Sequence, residues 1–377
     1  MAANPEETLR QLAAEGLLRG QRPLDSPTGT RITREGRTLW NFASNDYLGL
    51  ARHPEIEAAL IEGVERYGAG AAASRLVCGT LPPHRLLENA IARAKQAEAA
   101  LTFSSGFATA LGAIPAIVGK NDFVILDKLS HACLVDGARL SGATLRIFPH
   151  NDLAKLERLL ASCREKSASA RVLVVTESVF SMDGDVCPLR EIVELTESHG
   201  ALLLLDEAHA FGVLGENGMG LAEQENLQHR IAFQMGTLSK AAGLSGGYLA
   251  ASRAWIDLLA NRARSFVYTT APPPALAHAA IRSLELIVSD EGKSLRAKLR
   301  ANISRLSQGN TPIVPKILGT NEAVLAAAAA LEGAGFLVPA IRYPTVPRGT
   351  ARLRISLSAA HAPETIDALA AGLAGIR

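Results

Sequence analysis

The chain of 377 residues is poor in cysteine, and its four (Cys78, Cys133, Cys163 and Cys187) stand far apart. With no Cys-x-x-Cys pair and no histidines at zinc-ligand spacing, the sequence argues against a disulfide framework and against a bound metal. Charge of one sign is also lacking. Lys+Arg is 39 and Asp+Glu 37, a net +2, which gives no basic field for nucleic acid and no polybasic membrane anchor. No apolar run nears the ~20 residues that cross a bilayer. The longest, residues 323–331, is alanine-rich and stops at Glu332. The first residues carry Glu6, Glu7 and Glu15, where a signal peptide would be cationic and then apolar. A cytoplasmic, reducing setting is the expectation, without nucleic-acid or membrane partners.

Core-forming residues are plentiful: 48% are hydrophobic and 20% charged, enough for a sizeable core. At ~100–200 residues per domain, the length suggests two domains. Continuous apolar runs at 122–126, 171–175, 201–205 and 231–235 read as strands. Before and between them the spacing predicts helices over 85–100, over 152–160 with Asn151 as N-cap, and over 188–199 with Gly200 just past the end. This alternation predicts an α/β fold, a mainly parallel sheet flanked by helices on both faces. After Pro272, Pro273 and Pro274 the pattern changes. One long helical stretch runs to about Leu306, strict alternation over 352–358 predicts a half-buried strand, and Pro363 opens a last helix. The expected division is a large domain over 46–274 and a small α+β domain over 275–377, joined by the N-terminal segment 1–45.

Ligands of open α/β sheets bind beyond the carboxyl ends of the strands. Those ends read Asp127-Lys128-Leu129-Ser130-His131, Thr176-Glu177-Ser178-Val179-Phe180-Ser181, Asp206-Glu207-Ala208-His209 and Gly236-Thr237-Leu238-Ser239-Lys240. Acids, hydroxyls, two histidines and, at position 240, a lysine form a mixture that a plain binding scaffold does not need. Ser104-Ser105-Gly106-Phe107 precedes an apolar helical stretch and could offer free N–H groups to an anion; the same residues also make an ordinary helix start. Asp-Glu-Ala-His spells a nucleotide-hydrolase signature, but the phosphate loop it requires is missing. Gly212, Gly215, Gly218 and Gly220 resemble a loose nucleotide loop, yet no strand leads directly into them, so they read as turns.

As a set, these strand ends, the glycine-rich Gly243-Leu244-Ser245-Gly246-Gly247, Asn45-Asp46-Tyr47-Leu48-Gly49-Leu50 and the continuation Met182-Asp183-Gly184-Asp185 resemble the α-oxoamine synthases. These are fold-type I pyridoxal-phosphate transferases that condense an amino acid with an acyl thioester and release carbon dioxide. The resemblance runs from about residue 19 to the end. Ile341 to Pro347 and Gly349 to Arg354 are most similar to the biotin-pathway branch, which joins L-alanine to a pimeloyl thioester on coenzyme A or a carrier protein. Members that use other amino acids and acyl groups remain alternatives.

The resemblance implies pyridoxal 5'-phosphate as cofactor, with Lys240 as its covalent anchor and as acid/base at the substrate α-carbon. It implies Asp206 at the pyridine nitrogen, His131 stacked on the ring, and His209 and Ser181 at the phenolic oxygen. Gly106 and Phe107 would give backbone N–H groups, and Thr237 its hydroxyl, to the phosphate. Arg354 would hold the amino-acid carboxylate, Thr345 would touch substrate, and either Arg19 or Arg22 would meet the acyl substrate. A homodimer with shared active sites is implied, with Thr269 and Thr270 as contributions from the second subunit. His84 and Asn45 fit structural and site roles equally. Two positions depart from the branch: Glu207 stands where many members have aspartate, and Phe211 replaces a small polar residue.

Overall fold

The computed structural model describes residues 4–376. The chain divides into two compact units. The larger holds Leu50–Ser181 and Asp185–Ala297; the smaller holds the residues up to Gly49, Met182–Gly184 and those from Lys298 on. The break therefore falls inside the helix Asp290–Leu306, and not after Pro274. The reason is packing: Pro274–Val288 lies against the helices Pro54–Tyr67 and Pro82–Ala94 of the larger unit.

In chain order the strands are β1 (Arg31–Arg34), β2 (Arg37–Asn41), β3 (Ala99–Phe103), β4 (Phe123–Asp127), β5 (Thr144–Phe148), β6 (Val172–Glu177), β7 (Leu202–Asp206), β8 (Phe233–Thr237), β9 (Gly247–Ala251), β10 (Ile313–Gly319), β11 (Phe336–Leu337), β12 (Ala340–Ile341) and β13 (Ala351–Ser356). The larger unit holds one seven-stranded sheet in the order β3-β9-β8-β7-β6-β4-β5. Strands β4 to β8 are parallel, and β9 runs antiparallel to β8 and β3. β4 and β6 are buried at every position. Helices cover both faces of such strands, so apolar side chains are needed on each. Ile114, Val124, Leu134, Leu173, Leu204, Phe233 and Leu249 belong to one core cluster. The smaller unit contains two three-stranded sheets, β1-β2-β11 and β10-β13-β12.

Several expectations are corrected. The helix expected over 85–100 ends at Ala94, because 99–103 is recruited as edge strand β3. The helix after Asn151 is capped by Asp152, whose Oδ1 accepts the Lys155 N–H at 2.8 Å; Asn151 sits at φ 55° as a turn residue. The long stretch after the prolines breaks at Ser289. β13 is buried on both faces, not half-buried. It lies between β10 and β12, and its polar side chains find partners within the unit: Arg352 on Asp183, and Arg354 on Asn45 and Ser356.

Candidate active site

Three parallel neighbours end side by side. Glu177 closes β6, Asp206 closes β7, and these two are register partners. Thr237 closes β8, and Lys240 follows in the turn. Each apolar run ends where the side chain turns polar, so the buried strands deliver an acid, an acid and a hydroxyl to one edge. Opposite them, Ser105 caps the helix Gly106–Ile117, its Oγ accepting the Ala108 N–H at 3.0 Å. The first N–H groups of a helix have no intrahelical acceptor, so Gly106 and Phe107 present donors at the positive end of the helix dipole.

These groups share one cavity of about 250 Å³, lined by Gly106, Phe107, His131, Asp206, His209, Thr237 and Lys240 together with Ser105, Cys133, Glu177 and Ser239. That lies just under the ~300–1,000 Å³ usual for small-molecule sites. Lys240 Nζ lies 2.8 Å from His209 Nε2. Thr237 Oγ1 donates to the Gly246 carbonyl and is 2.7 Å from Ser239 Oγ. Gly247 has to be glycine: a Cβ there would sit 2.5 Å from the Ser105 oxygen and 2.6 Å from the Gly106 nitrogen.

The electrostatics follow from burial. Asp206 is raised above the ordinary carboxylate range by desolvation, against the pull of the Lys240 charge and the Ala208 N–H. Glu177 is pushed up to about 8, first by burial and then by the negative charge of Asp206. It also accepts the His131 backbone N–H. A buried carboxylate, a nearby amine and a helix N-terminus are what a protonated pyridine with a phosphate requires, so the residues present fit pyridoxal 5'-phosphate.

Of the expected cofactor set, Ser181 is not among the cavity's lining residues. It lies buried in the turn after β6. The smaller unit brings Arg19 and Thr345 together: Arg19 Nη2 donates to Thr345 Oγ1 at 3.2 Å. Arg22 instead holds Glu332 at 2.9 Å. Arg354 is buried and donates to Asn45 Oδ1 at 3.1 Å and Ser356 Oγ at 2.7 Å. His84 has a structural place; its Nδ1 accepts the Leu81 N–H and its Nε2 meets the Pro272 carbonyl at 2.8 Å. Thr270 bridges to Ser74.

Both departures are absorbed by packing. Glu207 is fully buried against Lys95 and accepts the Ala222 N–H at 3.0 Å. Phe211 packs edge-on to Tyr248. The four glycines at 212–220 all have positive φ, consistent with turns. Glu177 went unassigned in the sequence, although its place at the end of a buried apolar run was visible there.

A model of the family described as aminotransferase class I and II matches residues 37–373. The chain is 46% identical to 8-amino-7-oxononanoate synthase of Geobacter sulfurreducens, covering 98% of this chain and 96% of that protein. Its counterpart from Methylobacterium nodulans is 49% identical, with 98% and 95% covered. Among solved structures, serine palmitoyltransferase from S. paucimobilis with bound PLP and myriocin matches with a TM-score of 0.91 at 29% identity, covering 97% and 95%. 8-Amino-7-oxononanoate synthase from Francisella tularensis matches with a TM-score of 0.76 at 27% identity, covering 89% and 96%. A lysine, a buried aspartate and a helix N-terminus meeting at the strand ends of this sheet thus have a family to which the whole chain corresponds: it belongs to the class I and II aminotransferase family of fold-type I pyridoxal-phosphate enzymes, in the α-oxoamine synthase branch.

Proposed function

We propose that the protein condenses L-alanine with a pimeloyl thioester, on coenzyme A or a carrier protein, to give 8-amino-7-oxononanoate, carbon dioxide and the free thiol, a step of biotin biosynthesis. The observation that carries this reading is the meeting of Lys240, His209 and Asp206 in one cavity, in a chain nearly half identical to synthases of that name along almost all its length.

When bound, pyridoxal phosphate supplies a carbonyl for the amino group and a sink for the electron pair left on the amino-acid α-carbon. Lys240 anchors it, and the freed amine takes the α-proton and later returns one. Asp206 keeps the ring nitrogen protonated. His131 covers the ring face. His209, which lines the cavity, would hold the phenolic oxygen, with Ser181 as the second donor that the resemblance implies. The Gly106 and Phe107 N–H groups would hold the phosphate, and the Thr237 hydroxyl would join them by turning its proton from the Gly246 carbonyl. Arg354 takes the alanine carboxylate.

Arg19 is the better acyl-substrate contact of the two N-terminal arginines. Its Thr345 partner is neutral, whereas Arg22 is engaged by Glu332 and Glu35. Arg19 also borders a mainly apolar groove of about 430 Å³ with Leu9, Leu12, Leu17, Leu18, Tyr343 and Pro344, suited to a methylene chain ending in a carboxylate. A homodimer is part of the proposal. The larger unit exposes Ile61, Leu76, Val77, Leu86 and Tyr268, apolar side chains that a second subunit would cover. A cytoplasmic setting accords with four cysteines that are all free thiols; among the described residues no helix is long and apolar enough to cross a membrane.

The test is turnover by the loaded enzyme with alanine, glycine or serine against pimeloyl, acetyl, succinyl and palmitoyl thioesters. Alanine with the pimeloyl thioester should release thiol and carbon dioxide fastest. Preference for another pair would assign a different member of the branch, and an oxo acid without carbon dioxide would assign an aminotransferase.

A further inference from the structure

His150, which follows β5, lies between two carboxylates. Its Nδ1 is 3.1 Å from Asp127 Oδ1, and its Nε2 is 2.6 Å from Asp185 Oδ2. Asp127 ends β4 and is fully buried. It also accepts the Leu129 N–H at 2.8 Å and the Asn151 N–H at 2.9 Å, so it shapes the turn that leads into His131. Asp185 closes the turn on the far side of Ser181, and its carbonyl accepts the Phe180 N–H at 3.0 Å. The His150 ring also stands edge-on to Phe180, with centroids 4.3 Å apart. One imidazole therefore ties together the two turns that carry His131 and Ser181.

Burial works against a charge on this ring. The hydrogen bonds and charges of Asp127 and Asp185 outweigh it and raise His150 to about 10. A ring protonated at both nitrogens donates to both carboxylates at once. Among the described residues no other cation pairs with these two acids: the other hydrogen bonds to their side chains come from neutral N–H groups, including Asn151 Nδ2 on Asp185 at 3.3 Å.

We propose that His150 is a positioning residue, a cationic tie that holds the His131 and Ser181 turns in register for the pyridoxal-phosphate ring. It makes no contact with substrate and acts through those turns. The inference rests on the reading that the cavity takes this cofactor.

The test uses the full chain, freed of cofactor and titrated with pyridoxal 5'-phosphate, for wild type, His150→Gln and Asp185→Asn. Glutamine keeps one donor and loses the charge. Asp185 is partly exposed, so its substitution leaves the core intact. Both variants should bind the cofactor about tenfold more weakly, the scale of one lost hydrogen bond to a charged group. Hydrogen exchange should quicken over 127–131 and 178–187 and stay unchanged in β7 and β8. The double variant should lose no more affinity than either single one, since both break the same tie. Affinity within twofold of wild type in Asp185→Asn, or additive losses in the double variant, would overturn the proposal. A wild-type protein that takes up no pyridoxal phosphate would instead overturn the reading beneath it.

Discussion

Lys95→Met isolates the consequence of placing glutamate beside Asp206. Lys95 and Glu207 are both fully buried and paired. Lys95 Nζ also donates to the Met219 carbonyl at 2.6 Å, while Glu207 takes the Ala222 N–H. Methionine fills the same volume but leaves a buried carboxylate without its cation. Removing one partner of such a pair costs about 3–5 kcal/mol. At about 2–4 °C per kcal/mol for a unit of this size, melting should fall by about 6–20 °C. The assay is thermal and urea unfolding of the cofactor-free protein, followed by circular dichroism. Lys95→Met/Glu207→Leu should recover part of the loss, because an apolar pair of similar volume often matches a buried ion pair. A single variant that loses under about 1 kcal/mol, or a double variant no better than the single, would refute the reasoning. Glu207→Asp should fall between, as aspartate is about 1.5 Å short of the reach to Lys95.

Other outcomes are expected with different readouts. Lys240→Ala should lose covalent cofactor attachment, seen by borohydride trapping and peptide mapping, and at least about 10²–10⁴ of turnover; normal turnover would end the proposed chemistry. Gly247→Ala should weaken cofactor binding and also lower the melting temperature, since its Cβ pushes on the Gly106 amide, the Ser105 carbonyl and the Thr109 hydroxyl; unchanged affinity in a cofactor titration would count against the phosphate assignment. His361 is lowered to about 4 by burial, against the hydrogen bond that its Nε2 donates to the Asn41 carbonyl. A folded pKa below the unfolded ~6.5 means that stability is present above that value and lost as pH falls toward 4, by about 1.4 kcal/mol per unit. His361→Asn should flatten this acid limb in urea midpoints measured from pH 7 to 4. An unchanged slope would refute it.

Much of this protein could be read before any fold was in view. The runs at 122–126, 171–175 and 201–205 became β4, β6 and β7 nearly residue for residue, since a strand buried on both faces must be apolar at every position. Each run also had to end where a side chain could be polar, which is why Asp206, Thr237 and Lys240 stood out. The edge was less legible. Ala99–Phe103 looks like the tail of a helix, and only pairing with β9 makes it a strand.

The sequence by itself determined the chemistry on offer, because residue types and spacing fix which acids, amines and helix starts the strand ends carry. Tertiary structure alone decided which of them meet. Arg19 rather than Arg22 found Thr345, Glu207 found Lys95 across 112 positions, and His150 found both Asp127 and Asp185. Such pairings join segments distant in the chain, and no local propensity encodes them; burial raises the cost of an unpartnered charge until the fold supplies a partner.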